Sequence, residues 1–238
     1  EAASVTVLEP HPSDWLRETG VHLNTSLPKR PAMAVLAVKP QMMGDALPGL
    51  QALGGGDTVF VSIAAGTSLA AIERVLGAGT PVVRAMPNTP AAVGRGITAL
   101  IGNDFVPEKA LNLSRSLMAA VGQTVMLDSE GQMDAVTAVS GSGPAYVFHL
   151  IETMAAAGVA QGLPEEMALK LARATVAGAG ALAEAAPESP AQLRVNVTSP
   201  NGTTAAALGV LMDAEHGFPA LLPRAIKAAA DRSKELGQ

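Results

Sequence analysis

The side chains that could do chemistry fall in five short stretches, and none of the five holds a cysteine or a histidine. There is no cysteine, which excludes disulfides, thiolate catalysis and zinc–thiolate sites. The four histidines, His11, His22, His149 and His216, show no paired ligand spacing, so no metal is expected. What remains are polar groups placed at the ends of regular elements. Lys39 follows the apolar run Ala34–Val38 and precedes Pro40; a cation at a strand end suits a cofactor contact, and equally a solvated strand cap. In Ser62-Ile63-Ala64-Ala65-Gly66 the small residues let a flat ring lie against the backbone, although a plain turn capped by Thr67 or Ser68 explains them too. Met86-Pro87-Asn88-Thr89-Pro90 is a loop stiffened by two prolines around Asn88. Ser140-Gly141-Ser142-Gly143-Pro144-Ala145-Tyr146 reads as a glycine-rich turn with free N–H groups entering a helix. Thr198-Ser199-Pro200-Asn201-Gly202-Thr203-Thr204 leads into a second helix, where a threonine can cap and the dipole favours an anion. Each helix start alone fits a simple cap; two together, both with hydroxyls, could hold a carboxylate.

Positioning these groups needs an α/β layer structure followed by a helical one. β-rich runs at 4–8, 32–38, 58–63, 81–85, 97–101 and 124–127 read as buried strands. Helical segments such as Thr67–Leu76 and Pro107–Val121 lie between them, the alternation of a mainly parallel, Rossmann-type sheet. From about Ser129 the strand signals stop, and Ala- and Leu-rich stretches at 144–159, 164–186, 203–212 and 218–236 read as an all-α region. The expected division is 1–128 for a dinucleotide-binding domain and 129–238 for a helical domain. Ala174, Ala177, Gly178, Gly180 and Ala181 supply little core of their own; they favour burial against a second copy of the chain, or an ordinary helix contact within one copy. In a dinucleotide fold an acidic residue ends the second strand and reaches the ribose hydroxyls, and Glu9 stands there. No Gly-x-Gly-x-x-Gly precedes it, so the first strand, phosphate loop and helix, about 25 to 35 residues, are expected to be missing from this chain.

Composition narrows the partners. A chain of 238 residues with 48% apolar and 16% charged residues and a net charge of −5 can bury a core but lacks the basic surface of nucleic-acid or anionic-membrane binders. No apolar run reaches the length of a membrane span. A basic-then-apolar secretory pattern is also absent from the N-terminus, and a cytoplasmic location is expected.

These motifs, in this order, resemble the pyrroline-5-carboxylate reductase family from Val5 almost to Leu236. The densest likeness is Asp134 through Tyr146, then Gly162-Leu163-Pro164, Leu193-Arg194 and Val197 through Thr204. The resemblance implies reduction of 1-pyrroline-5-carboxylate to L-proline with NADPH or NADH, in a homodimer or larger homo-oligomer joined through the helical domain. It further implies that Asn24, Ala37, Lys39, Pro40, Ala64, Ala65 and Asn88 line the cofactor, with Glu9 at the ribose. Val197, Ser199, Gly202, Thr203 and Thr204 would hold the substrate, and Thr204 would serve catalysis by hydrogen bonding to the ring nitrogen. Glu9 inclines the reading toward NADH, because a carboxylate repels a 2′-phosphate. The chain departs from the family where Asn201 replaces a glycine and where the phosphate loop has no counterpart. Two other readings stay open: a β-hydroxyacid-type dehydrogenase, which needs a positioned lysine that neither helix-start turn provides, and a non-catalytic oligomerisation module.

Overall fold

The computed structural model describes residues 5–237. A small parallel pair opens the fold, β1 (Thr6–Val7) and β2 (His22–Leu23), joined through helix α1 (Asp14–Glu18), which Ser13 caps by accepting from Leu16 N. The first residue of the run read as 4–8, Ser4, lies outside the described residues. Five further strands form a second sheet in the order β3 (Met33–Leu36), β4 (Val59–Ser62), β5 (Val82–Met86), β6 (Gly96–Gly102) and β7 (Gly122–Met126). A doubly wound sheet has the order 3-2-1-4-5-6. The described strands thus form two sheets where one was expected.

Strand alternation sends side chains to opposite faces, and the two faces build separate cores. Phe60 and Val82 face Ile72 and Leu76 of helix α3 (Leu69–Leu76), together with Met43 of the short helix α2 (Met43–Ala46) and Leu47 beyond it. Val59, Val61, Val83 and Leu100 face Val106, Ala110, Leu111 and Met118, the last three on helix α4 (Glu108–Ala119). Phe60, Val61, Ile72, Val82, Val83 and Leu100 are fully buried. The sheet is thus clad on both sides, the form that lets β4 and β5 be apolar on consecutive residues.

The sheet is mainly parallel, as expected, with the pairing of β6 to β5 alone antiparallel among the described strands. One strand expectation changes: β1, β3 and β7 are not wholly buried but partly exposed, because they lie at sheet ends where one side lacks cover.

Beyond β7 the chain is helical. α5 (Met133–Val136) runs through a π-helical turn at Thr137–Gly141 into α6 (Gly143–Ala160), followed by α7 (Glu165–Ala185), α8 (Pro190–Asn196), α9 (Thr203–Leu211) and α10 (Phe218–Leu236). Pro223 sits inside α10, removing one helix hydrogen bond. Asp213 closes the turn before it; its carboxyl is held below the usual carboxylate range by the backbone N–H of His216 and then that of Glu215. Few residues of α6 to α10 are buried, and Val210, Leu182, Leu221 and Leu222 are all exposed. Among the described residues no helix is long and apolar enough to cross a membrane.

Candidate active site

The parallel register of β3, β4 and β5 brings three of the expected stretches to one sheet edge. Leu36 pairs with Ser62, and Ser62 with Arg84, so the residues that follow each strand emerge side by side. Ala37, Lys39 and Pro40 leave β3, Ala64 and Ala65 leave β4, and Asn88 leaves β5. Lys39 is exposed and precedes the 3-10 turn begun by Pro40, with Met42 N donating to Lys39 O at 2.8 Å. Ala64 is buried, and Gly66 turns the chain with φ of 76°. In that left-handed region glycine carries no Cβ penalty. A Cβ there would also lie 3.2 Å from both Cβ and O of Leu236 at the end of α10.

Asn88 joins the two halves of the chain. Its Oδ1 accepts from Ile97 N at 3.0 Å, and its Nδ2 donates to Ser140 Oγ at 3.3 Å. Beside it, Met86 Cε lies where a Cβ on Gly141 would be, at 2.7 Å. The end of β5 therefore seats on the π-helical turn. This turn was expected to leave free N–H groups. Instead Ser142 N donates to Thr137 O at 2.8 Å and Ala145 N to Ser142 O at 3.0 Å, because the chain continues from α5 into α6 without leaving helical geometry.

Glu9 and Asn24 form a second group at the end of the small pair. Asn24 Oδ1 accepts from Glu9 N and Asn24 Nδ2 donates to Glu9 O, both at 2.9 Å, while Glu9 Oε1 accepts from His11 N. Asn24 holds φ of 51°, and its amide fixes the strand end that carries Glu9.

The third group, Val197 to Thr204, is set by α8 and α9. Thr198 Oγ1 donates back to Arg194 O at 2.6 Å and does not cap α9; the N-cap is Gly202, which has no side chain to cap with. Among the described residues the first-turn N–H groups of Thr203, Thr204 and Ala205 have no backbone partner, the arrangement that receives an anion. A Cβ on Gly202 would overlap Ser199 Oγ, so only glycine lets that hydroxyl tuck against the helix start. Asn201 sits at φ of 58°, the left-handed conformation that asparagine tolerates. Asn201→Gly is therefore expected to leave stability within about 0.5 kcal/mol, whereas Asn201→Val costs about 1–2 kcal/mol; urea-denaturation midpoints of the two variants check the difference. Among the described residues α9 makes no extensive contact with the strands of its own chain.

Two residues absent from the expectations, Arg84 and Glu130, link the halves. Arg84 is 7% exposed on β5, and its Nη1 lies 2.6 Å from Glu130 Oε1, the same oxygen that accepts from Leu69 N at 2.7 Å. A charged residue inside the apolar strand Val82–Met86 is the signal that could have exposed them, since a buried guanidinium requires a partner.

A mainly parallel sheet clad by helices, joined to a helical half whose apolar faces remain open, is the layout of a two-part dinucleotide-dependent oxidoreductase. Residues 130–236 match the pyrroline-5-carboxylate reductase dimerisation family. The pyrroline-5-carboxylate reductase of Pseudomonas aeruginosa is 45% identical over 206 residues, covering 87% of this chain and 75% of that one. A pyrroline-5-carboxylate reductase structure from Coxiella burnetii superposes with a TM-score of 0.89 at 36% identity, covering 98% and 88% of the two chains. The Plasmodium falciparum pyrroline carboxylate reductase with NADP bound gives 0.85 at 29% identity, with 98% and 87% covered. The chain belongs to the pyrroline-5-carboxylate reductase family.

Proposed function

We propose that the chain reduces the C=N bond of 1-pyrroline-5-carboxylate to give L-proline, with NADPH or NADH as reductant. The observation that carries this reading is the aligned edge of β3, β4 and β5, from which the short side chains of Ala37, Ala64 and Ala65 and the loop at Asn88 emerge side by side.

The residues present fit the nicotinamide and ribose end of such a cofactor. Small side chains at Ala37, Ala64 and Ala65 leave room for a flat ring, Lys39 and Pro40 line the same edge, and Glu9 offers a carboxylate to ribose hydroxyls. A glycine-rich pyrophosphate cradle is not among the described residues. When bound, the nicotinamide supplies a hydride to the imine carbon. The chain's own residues do the rest: Asn88 holds the rigid loop, the N–H groups at the start of α9 take the substrate carboxylate, and Val197, Ser199, Gly202 and Thr203 shape its seat. Thr204, whose hydroxyl has no hydrogen-bond partner among the described residues, bonds the ring nitrogen and delivers its proton directly or through water. No nucleophile is required.

Because α9 does not pack on its own sheet, the seat for the carboxylate is completed by a second copy. The apolar surface of α8 to α10 supports this. Val210 is 72% exposed, and Arg194, Leu208, Met212, Phe218 and Leu222 surround an open cavity of about 520 Å³. The division of the chain at 128/129, between β7 and the turn at Glu130, the assembly through the helical half as a dimer or a larger oligomer of dimers, and a cytoplasmic location belong to this proposal.

The test is oxidation of NADH and NADPH by the purified chain with 1-pyrroline-5-carboxylate. Substrate-dependent turnover with proline as product is expected. A chain that binds neither nucleotide is a scaffold, and this reading fails.

A further inference from the structure

We propose that Glu130 is a positioning residue for the loop that receives the nicotinamide. This rests on the reading above, in which Ala64 and Ala65 line the cofactor. One carboxylate oxygen, Glu130 Oε1, takes Arg84 Nη1 at 2.6 Å and Leu69 N at 2.7 Å. Leu69 is the first residue of α3, so its N–H is one of the donors that a helix start leaves unpaired. Three residues before it the chain turns at Gly66, directly after Ala64 and Ala65. Glu130 itself opens the helical half, in a turn fixed by the reciprocal bonds of Ser129 and Gln132.

Arg84 shares its strand face with Val82 and so points to the α3 side of β5, where it is buried. The carboxylate is therefore stretched between a fixed cation in the sheet and the start of α3. Its length sets how far α3, and the loop feeding it, stand from β5. The far side of the loop is held by the same half of the chain: Leu236 abuts Gly66, and α10 is tied down through Ser233 Oγ, 2.6 Å from Asp134 Oδ1. The cofactor loop is thereby gripped from both sides by the helical region. Reach, rather than charge alone, is the property that matters.

Two near-isosteric variants separate reach from charge. Glu130→Gln keeps the length and an acceptor oxygen but loses the charge; Glu130→Asp keeps the charge and is one methylene shorter. The expected result is that Asp raises the KM for the nicotinamide cofactor about tenfold or more, given the steep dependence of rate and binding on sub-ångström placement. Gln stays within about threefold, and both leave the KM for 1-pyrroline-5-carboxylate within about twofold. Backbone amide NMR shifts of Ala64, Ala65 and Gly66, measured without cofactor, are expected to move more in Asp than in Gln. The opposite order, or a fall in melting temperature with cofactor KM and loop shifts unchanged in both variants, overturns the proposal. If the wild-type chain shows no turnover, the functional reading fails by itself, and the NMR order still decides the role of Glu130.

Discussion

Replacing Thr204 with alanine is expected to lower kcat/KM for 1-pyrroline-5-carboxylate by about 100-fold or more, the usual loss when a positioned proton donor is removed. The cofactor KM should stay within about twofold, because Thr204 belongs to α9 and not to the sheet edge. Its physical setting makes the expectation specific. Thr204 is half-buried, second in α9, behind an N-cap that has no side chain, so its hydroxyl is not consumed by capping. Hydride addition to the imine carbon moves the π electron pair onto nitrogen, and a hydroxyl donating there stabilises that developing charge as its proton passes to the nitrogen, directly or through water. Thr204→Ser keeps the hydroxyl and should recover most of the rate. Steady-state kinetics of the two variants check this; an alanine enzyme with full turnover and an unchanged KM removes Thr204 from the reaction. The start of α9 is supplied by a second copy in this reading. A Thr204→Ala chain mixed with an Asn88→Ala chain should therefore regain part of the activity lost by each.

Much of this layout could be seen in the amino acids, and what could not be seen has a common cause. The strands from β3 to β7 and the helices α3, α4, α6, α7, α9 and α10 fall where apolar periodicity and helix starts place them, since those signals are local. β2 was missed because His22–Leu23 is too short for a period to show. The antiparallel β6 was readable in principle: residues 87–95 separate it from β5, too few for the crossover that a parallel neighbour needs. The π-helical turn hid behind Gly141 and Gly143, which look like a loop until Met86 is seen to occupy the space beside Gly141. The polar ties lay furthest out of reach. Asn88 meets Ser140 across 52 positions and Arg84 meets Glu130 across 46; pairings of that range are created by the fold and leave no spacing to read. The site residues taken from motifs fall into three clusters, and the sequence carried no sign that the third stands off from its own sheet.

The second large effect is expected at Gly66, where conformation and close approach act together. With φ at 76° the residue lies in a region that a β-branched side chain enters only under strain, at a cost of about 1–3 kcal/mol. The new Cβ would also meet Leu236 Cβ and O at 3.2 Å. Leu236 can yield only by moving the end of α10, whose neighbour Gly237 is itself tight against Gly66 O. Gly66→Val must therefore either push α10 away or pull the turn off the sheet edge, and the second route carries Ala64 and Ala65 with it. The expected outcome is a lower urea midpoint together with a cofactor KM raised by about tenfold or more, while Gly79→Val supplies the control. Gly79 has the similar φ of 80° but only the Phe105 ring edge near its Cβ, at 4.0 Å, so it should lose comparable stability without a change in cofactor KM. Equal effects of the two variants on KM would mean that backbone strain alone is being measured, and that the contact between α10 and the turn at Gly66 does not shape the cofactor site.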